Sequence, residues 1–311
     1  MKGYFSITDY DWYQFLLNKS KNESLIEVNH WGPGTRGINL QANTPYFFQL
    51  KKPHNRIAGF GFSGPLKKLP LSIVWDSFRE NTGCSSYEEM RSRVWKYRRG
   101  HEYEEDPLIV SRSILEPIFF DNDQVIPRAS DWAPSIVQGK NIDLTYGEGS
   151  RIWSDCQIFG KSEVSGVRTG VVRENSEARY GAPLLHTPRL GQGTFRVVVR
   201  NAYEDSCAIS GVRIPQVLEA AHIRPYSKEG PHTVSNGLLL RSDFHKLFDL
   251  GFITITRDFK IKLSSMLLEA PSLNAEYSML SGKKIRLPLE NENFPDVQFL
   301  VWHGENVFRS R

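Results

Sequence analysis

Three observations predict an α+β protein built from two domains and a linker. Short segments rich in β-branched and aromatic residues, separated by Gly, Pro and Asn, run through the first half of the chain. Capped helical stretches interrupt them. From about Gly147 to Gly191 the periodicity fails, and a new unit begins near Gly191. A chain of 311 residues suits two domains of roughly 100 to 200 residues each. The expected division is a first domain at 1–150, a linker at 151–190 and a second domain at 191–311.

Thr8 and Asp9 precede Tyr10 to Leu17, whose apolar residues recur at helical spacing, so a short helix is expected near the start. Ser24–Val28, Pro45–Leu50, Ile57–Phe62, Ile109–Ile118 and Ile142–Leu144 read as strands of one sheet or barrel. Ser72–Glu80 and Ser86–Tyr97 each open on a serine, and Glu89, three residues after Ser86, completes a capping-box pattern. Trp75 and Trp95 sit at helical spacing with other apolar residues and belong to the core. The stretch from Gly160 to Pro183 is polar and broken by glycine, which reads as a hinge. Gln192 to Tyr203 predicts a helix despite the β-branched Val197, Val198 and Val199.

Composition narrows the classes. Lys and Arg number 39 against 35 Asp and Glu, a net charge of +4, which excludes a tail-driven polycation. Residues 1–150 carry 18 basic and 18 acidic side chains, and the excess of three lies in residues 186–311. A mean hydropathy of −0.41 with 12% aromatic residues fits a globular chain with well-packed cores. No apolar run approaches the roughly 18 residues of a membrane span, and the N-terminus has no basic region followed by an apolar one. A cytoplasmic location and no membrane partner are expected. Cys84, Cys156 and Cys207 are too few and too scattered for a disulfide framework or a four-cysteine zinc site.

The chemistry concentrates between Cys207 and Asp249. His222, Asn236 and His245 stand 14 and 9 residues apart, at the end of an apolar strand, in a loop and on a helix-patterned segment, respectively. This is the strand, loop, strand, helix order of a ββα-metal site. His245 and Asp249 are one helical turn apart and share a face. A divalent ion held there can stabilise charge as a P–O bond breaks, and a neutral imidazole on the facing strand can deprotonate water. Oxygen-rich coordination favours Mg²⁺ or Mn²⁺, while a histidine ligand also permits Ni²⁺, Co²⁺ or Zn²⁺. Asn236 is placed to pin the loop by side-chain bonds to backbone.

With Leu218-Glu219-Ala220-Ala221-His222-Ile223, Ser235-Asn236-Gly237-Leu238-Leu239-Leu240 and Asp243-Phe244-His245-Lys246-Leu247-Phe248-Asp249, the segment resembles the HNH endonuclease family. The resemblance implies His222 as general base, Asn236 as the loop-fixing residue, His245 as a metal ligand and Asp249 as a second one. Many relatives carry a metal-binding Asp or His just before the base; Ala221 stands there, which leaves Glu219 or Asp243 as contributors. Paired CxxC knuckles are absent, so no structural zinc is expected. His232, His186 and His101 read as ordinary surface or core histidines, and Cys207 as a small buried residue.

In the first half, Val28 to Pro33, Tyr46 to Asn55, Ile57 to Phe62 and Asp131 to Lys140 resemble the reader half of EVE-type HNH proteins. EVE domains are similar to the PUA and SRA families, β-barrel modules that accept a flipped, modified base. Trp31 and Trp132, at loop-like positions, are the expected pocket walls, unless they are ordinary core or loop anchors. Asn29 and Asp131 are candidates for base-edge contacts, and Arg36, Lys51 and Lys52 for the DNA backbone. The run Arg91, Arg93, Lys96, Arg98 and Arg99 reads equally as a DNA-tracking or a solvated helix face.

Together the resemblances imply a McrA-like, EVE–HNH modification-dependent restriction endonuclease. Its expected partner is double-stranded DNA carrying 5-methylcytosine or 5-hydroxymethylcytosine, and a homodimer is expected for cutting both strands. Two other readings stay open: an HNH nuclease of the nicking or homing type acting on unmodified DNA, and a modified-nucleic-acid binding protein with a vestigial nuclease half.

Overall fold

The computed structural model describes residues 1–34, 36–98, 103–133, 136, 138–165, 190–269 and 275–310. Arg99, His101, His186 and linker residues 166–189 lie outside the described residues. The chain divides into two compact units, Met1–Gly191 and Gln192–Arg311. No helix among the described residues is long and apolar enough to cross a membrane.

The first unit is one seven-stranded sheet with helices. Its strands are β1 (Lys2–Thr8), β2 (Glu27–Gly32), β3 (Pro45–Leu50), β4 (Arg56–Pro70), β5 (Leu108–Phe119), β6 (Ile126–Pro127) and β7 (Gly139–Asp143). They lie in the order β2-β5-β4-β3-β1-β7, with β6 paired to β4 outside that path. Only β1 and β3 run parallel; the other pairs are antiparallel. The expected barrel is corrected to an open sheet, since β2 and β7 end the path and do not pair with each other among the described residues.

Helices cover the two faces instead. From α1 (Tyr10–Asn22), Trp12, Tyr13, Leu16 and Leu17 pack with Tyr46, Phe48 and Leu50 of β3. The alternate residue Phe47 joins Phe5, Ile57 and Phe60 against Ile152, Trp153 and Cys156 of α4 (Gly147–Ser165). β3 is therefore buried at every residue, Gln49 included, as its largely apolar run requires. The helix α4 also corrects the linker, expected from 151. Ile152 and Trp153 are buried to 0% and 7% exposure, each contributing about 2 kcal/mol of apolar burial that a solvated hinge would forgo.

Local capping follows the sequence at Asp9 and Ser86, whereas Ser72, expected to start its helix, falls inside one that begins at Leu71 after Pro70. Asp9 caps α1 by accepting from the Asp11 N–H. Ser86 caps α3 (Tyr87–Tyr97) by accepting from the Glu89 N–H at 3.1 Å, while the Glu89 carboxylate reaches back one residue further, to Ser85. Ahead of α3, α2 (Leu71–Phe78) buries Leu71, Ile73, Val74 and Phe78.

In the second unit, α5 (Gln192–Ala202) lays Phe195 and Val199 against an antiparallel hairpin of β8 (Leu218–His222) and β9 (Gly237–Arg241). Burial of Val197 and Val199 outweighs their modest helix propensity. Helix α6 (Ser242–Asp249) follows β9 directly and buries Phe244 and Phe248. Strands β10 (Ile253–Ile255) and β11 (Ile261–Leu263) follow, and helix α7 (Val297–Asn306) lies near the end of the unit. His303 of α7 is 2% exposed, stacks on Phe248 at 3.7 Å, and contacts Thr254 Oγ1 at 2.9 Å and the Phe248 carbonyl at 3.1 Å.

Burial pushes the His303 imidazole down to about 4, and burial with the charges of Arg112 and Lys51 does the same to His30. Both are neutral in the folded protein, whereas the unfolded chain takes up these protons near pH 6.5. The unfolded state therefore binds more protons below that pH. The stabilisation is complete above pH 6.5 and is lost as the pH falls towards 4. Thermal melts across pH 7.5 to 4.5 are expected to show a Tm that declines steadily below pH 6.5; a flat Tm would contradict the neutral assignment.

Candidate functional site

The β8–β9 hairpin ends at His222 and resumes at Gly237, and the connecting loop is closed by one side chain. Asn236, with 0% exposure, accepts from the Arg224 N–H at 2.9 Å and donates to the carbonyls of Arg224 and Pro231, each at 2.9 Å. The Ile223 N–H bonds to the Asn236 carbonyl at 2.9 Å. Gly230 belongs to the same closure, because a Cβ there would stand 1.8 Å from the Arg224 carbonyl oxygen. The loop therefore leaves β8 and returns to β9 along a fixed path.

At the end of β8, the His222 ring stacks on Phe195 with centroids 3.8 Å apart. Its Nε2 lies 2.9 Å from Nδ1 of His232, whose ring stacks on Tyr226 at 4.6 Å. Burial first, then the charges of His232, His245 and Arg196, push the His222 imidazole down to about 4. It is a neutral base at physiological pH. Sequence reading set His232 aside as an ordinary histidine, since a single histidine in a loop carries no spacing signal.

His245 lies between two carboxylates. Its Nδ1 lies 2.5 Å from Glu219 Oε2, and its Nε2 lies 3.4 Å from Asp249 Oδ2. Of the two alternative acidic contributors, Glu219 is thus at the site. Asp243 is committed elsewhere, to Arg241 at 2.6 Å and Tyr277 at 3.0 Å. Ala221 is fully buried in the core, so a ligand at that position would point into Leu and Phe side chains. Cys207 is buried and accepts from the N–H groups of Ser210 and Arg241, as expected of a small structural residue.

Among the described residues, no three His, Cys, Asp or Glu side chains form a ready-made metal cage. The pair that is present still has the spacing of shared ligands. Two donors each about 2.1 Å from one ion stand about 3.0 to 3.4 Å apart at right to tetrahedral angles. Nε2 of His245 and Oδ2 of Asp249 meet that separation at 3.4 Å, long for a good hydrogen bond. Glu219 on the other ring nitrogen stands where an outer carboxylate would orient a ligating histidine. Two protein donors with remaining positions for water and phosphate match the habit of Mg²⁺ and Mn²⁺.

The first unit holds a separate cavity of about 630 Å³. Tyr4, Trp12, Trp31 and Tyr46 supply aromatic wall, and His30 and Arg112 supply polar groups. The Tyr46 hydroxyl lies 3.2 Å from His30 Nδ1. Arg112 is 4% exposed and has no carboxylate partner among the described residues; its guanidinium donates to the carbonyls of Gly64 and Ile38 and covers the Tyr46 ring.

Of the residues expected at a pocket, Trp31, Arg36 and Lys51 line this cavity, with the Trp31 Nε1 donating to the Thr82 carbonyl at 2.9 Å. Trp132 does not: it is 8% exposed and packs in the core near Phe5. Asp131 pairs with Lys140 at 2.7 Å. Asn29 is fully buried between strands, donating to Ser111 Oγ at 2.7 Å. Lys52 is exposed and outside the lining. The sequence reading missed His30, Tyr46 and Arg112 as cavity groups, because strand alternation in β2, β3 and β5 is hidden by burial on both faces.

The HNH endonuclease family model matches residues 207–256. That stretch contains the hairpin, Asn236, His245 and Asp249. A comparison with curated proteins finds no match. Among solved structures, a modification-dependent TagI restriction endonuclease is similar at 14% identity and a TM-score of 0.28, over 90% of this chain and 75% of that one. An ASCH protein from Zymomonas mobilis is similar at 13% identity and a TM-score of 0.29, over 48% of this chain and 94% of that one. Likenesses this low define neither fold nor activity.

Asn236→Ala would strip the loop of three hydrogen bonds and leave buried backbone groups unpaired. The expected cost is about 2–4 kcal/mol, read as a lower denaturant midpoint. Asn236→Asp is expected to be no better, because it sets an oxygen against the carbonyls of Arg224 and Pro231. A loss under about 0.5 kcal/mol for both would mean the amide does not hold the loop.

Proposed function

We propose that this chain is a cytoplasmic, modification-dependent restriction endonuclease. The HNH segment hydrolyses phosphodiester bonds of double-stranded DNA, and the first unit takes a modified cytosine, 5-methylcytosine or 5-hydroxymethylcytosine, flipped out of the duplex. The observation that carries the reading is the set of His222, Asn236 and His245 on one hairpin and its following helix, inside the segment matched by the HNH model.

In this mechanism the neutral His222 ring takes a proton from water at Nδ1. The water oxygen keeps the electron pair and attacks phosphorus in line, and the opposite P–O bond breaks with its pair leaving on the departing oxygen. A divalent ion, when bound, would supply positive charge beside the phosphate and leaving oxygens. His245 Nε2 and the Asp249 carboxylate would hold it, with Glu219 fixing the His245 ring. Mg²⁺ or Mn²⁺ suits the carboxylate and open positions, and Ni²⁺ or Co²⁺ suits the imidazole. Asn236 keeps the base at its distance by holding the loop.

The cavity suits a flipped base. Flipping costs a few kcal/mol of stacking, which aromatic walls such as Trp31 and Tyr46 can restore. His30, Tyr46 and Arg112 offer hydrogen-bonding groups for the base edge, in place of Asn29 and Asp131. Arg36 and Lys51 are suited to phosphates. Each site hydrolyses one bond at a time, so cutting a duplex calls for two copies of the chain.

Digestion of plasmids that differ only in cytosine modification tests reader and cutter together. Cleavage with Mg²⁺ or Mn²⁺ confined to modified DNA is expected. Equal cutting of unmodified DNA would favour the nicking or homing reading, and binding without cutting under any divalent ion would leave only a vestigial nuclease. His222→Ala is expected to lower the rate at least about 100-fold with DNA binding retained. Trp31→Ala is expected to lose the preference for modified DNA, whereas Trp132→Phe is expected to keep it. Because the base works only when neutral, the acid limb of kcat/KM is expected below pH 6, with His232, His245 and Arg196 as the charges that face it; a limb at or above 6.5 would contradict the burial of His222.

A further inference from the structure

We infer that His232 is a positioning residue for His222, accepting a hydrogen bond from Nε2 of that ring so that Nδ1 carries the lone pair offered to water. The inference rests on the nuclease reading of the same site. Its foundation is the 2.9 Å separation between Nε2 of His222 and Nδ1 of His232. Between two neutral imidazoles at that distance, one nitrogen donates and the other accepts. Burial holds both rings neutral, and two imidazolium ions could not share such a contact.

The proton transfer itself selects the direction. If His232 donated, His222 would carry its own proton on Nδ1, where no protein acceptor stands among the described residues, and could not take another proton there. If His222 donates, His232 carries its proton on Nε2, on a ring that reaches solvent and can be hydrated. Both rings are half-exposed, so water can reach either outer nitrogen, and the need for a free lone pair on Nδ1 selects the second arrangement.

Both rings are fixed in place. Phe195 lies under His222, Tyr226 lies under His232, and the Pro231 carbonyl, one residue before His232, is held by the Asn236 amide. One clip thus places the base and its partner. As water yields its proton to Nδ1 and its oxygen keeps the electron pair, the His222 ring becomes positive. The Nε2–H bond to His232 then becomes charge-assisted and stronger. His232 therefore acts when charge develops and leaves substrate binding alone.

The test combines tautomer spectroscopy with kinetics on the full chain. Nitrogen-15 spectra of histidine-labelled protein are expected to show His222 as the Nε2–H tautomer at pH 7.5, and a mixture in His232→Ala. Cleavage of plasmid carrying 5-methylcytosine, with Mn²⁺, is expected to fall about 10- to 100-fold in kcat for His232→Ala with KM unchanged. His232→Asn, whose Oδ1 replaces the accepting nitrogen, is expected to restore the tautomer and most of the rate. A wild-type His222 in the Nδ1–H form would overturn the inference. So would His232→Ala with wild-type tautomer and rate. Should His232→Ala not fold, the wild-type spectrum and His232→Asn still decide. A wild type that cuts no DNA would count against the nuclease reading, while the tautomer result would judge the histidine pair on its own.

Discussion

The amide of Asn236 is the constraint from which the candidate active site is built. A two-stranded hairpin alone is marginally stable, and a loop from Ile223 to Ser235 leaves many backbone groups to satisfy. Asn236 binds both sides of that loop at once, through the N–H and carbonyl of Arg224 and the carbonyl of Pro231. Only an amide suits the position, because it needs an acceptor and two donors in one plane. The packing behind it completes the constraint. Leu238, Leu239 and Leu240 of β9 are fully buried, so the hairpin cannot slip by one residue without exposing a continuous apolar strand.

On that frame, two histidines of the same chemistry are given opposite surroundings. His222 lies on an aromatic ring with a second imidazole at its edge, which disfavours a charge. His245 has a carboxylate at each ring nitrogen, which favours a cation beside it. Environments that push like groups apart assign acid–base roles without any change in residue type. In the proposed mechanism, the proton-accepting ring and the cation-holding ring are thereby distinguished before any substrate arrives.

How much was legible in the sequence depends on how local each signal is. The Ser86 cap, the largely apolar Pro45–Leu50 strand and the His222–Asn236–His245 spacing are decided by neighbours in sequence, and all were readable. Strand β1 was not, because Lys2–Thr8 gains its place through parallel pairing with β3, some 40 residues away. The helix α4 was misread for a related reason: its glycines and charges look like a hinge until Ile152, Trp153 and Cys156 meet Phe47 and Phe60. Trp132 and Trp31 look alike in sequence, each with a proline two residues further on. One fills the core and the other lines the cavity, and only the sheet's second face separates them. His232 stood outside every spacing rule because its partner is fixed by the fold of a loop.

The small net charge of +4 on 311 residues also reads differently once charges have neighbours. Many of the cations are answered locally, as in Arg93 with Glu89, Arg151 with Glu148 and Asp155, and Arg241 with Asp243 and Glu276. Such exposed pairs generate little field beyond themselves, and salt screens what remains. Arg112 is different. It is buried in the cavity wall with carbonyls and an aromatic face as its only neighbours of opposite polarity among the described residues, so its charge stays unneutralised. A fixed cation in a poorly screened cavity draws acceptor-rich or anionic groups more strongly than several surface lysines would. Two histidines near such charges, His30 and His222, are kept neutral by burial, which reserves the positive potential for guanidinium groups and, in the second unit, for the ion that the proposed mechanism places at His245 and Asp249. Attraction for a polyanion can therefore be concentrated at two points in a chain whose overall charge is nearly balanced.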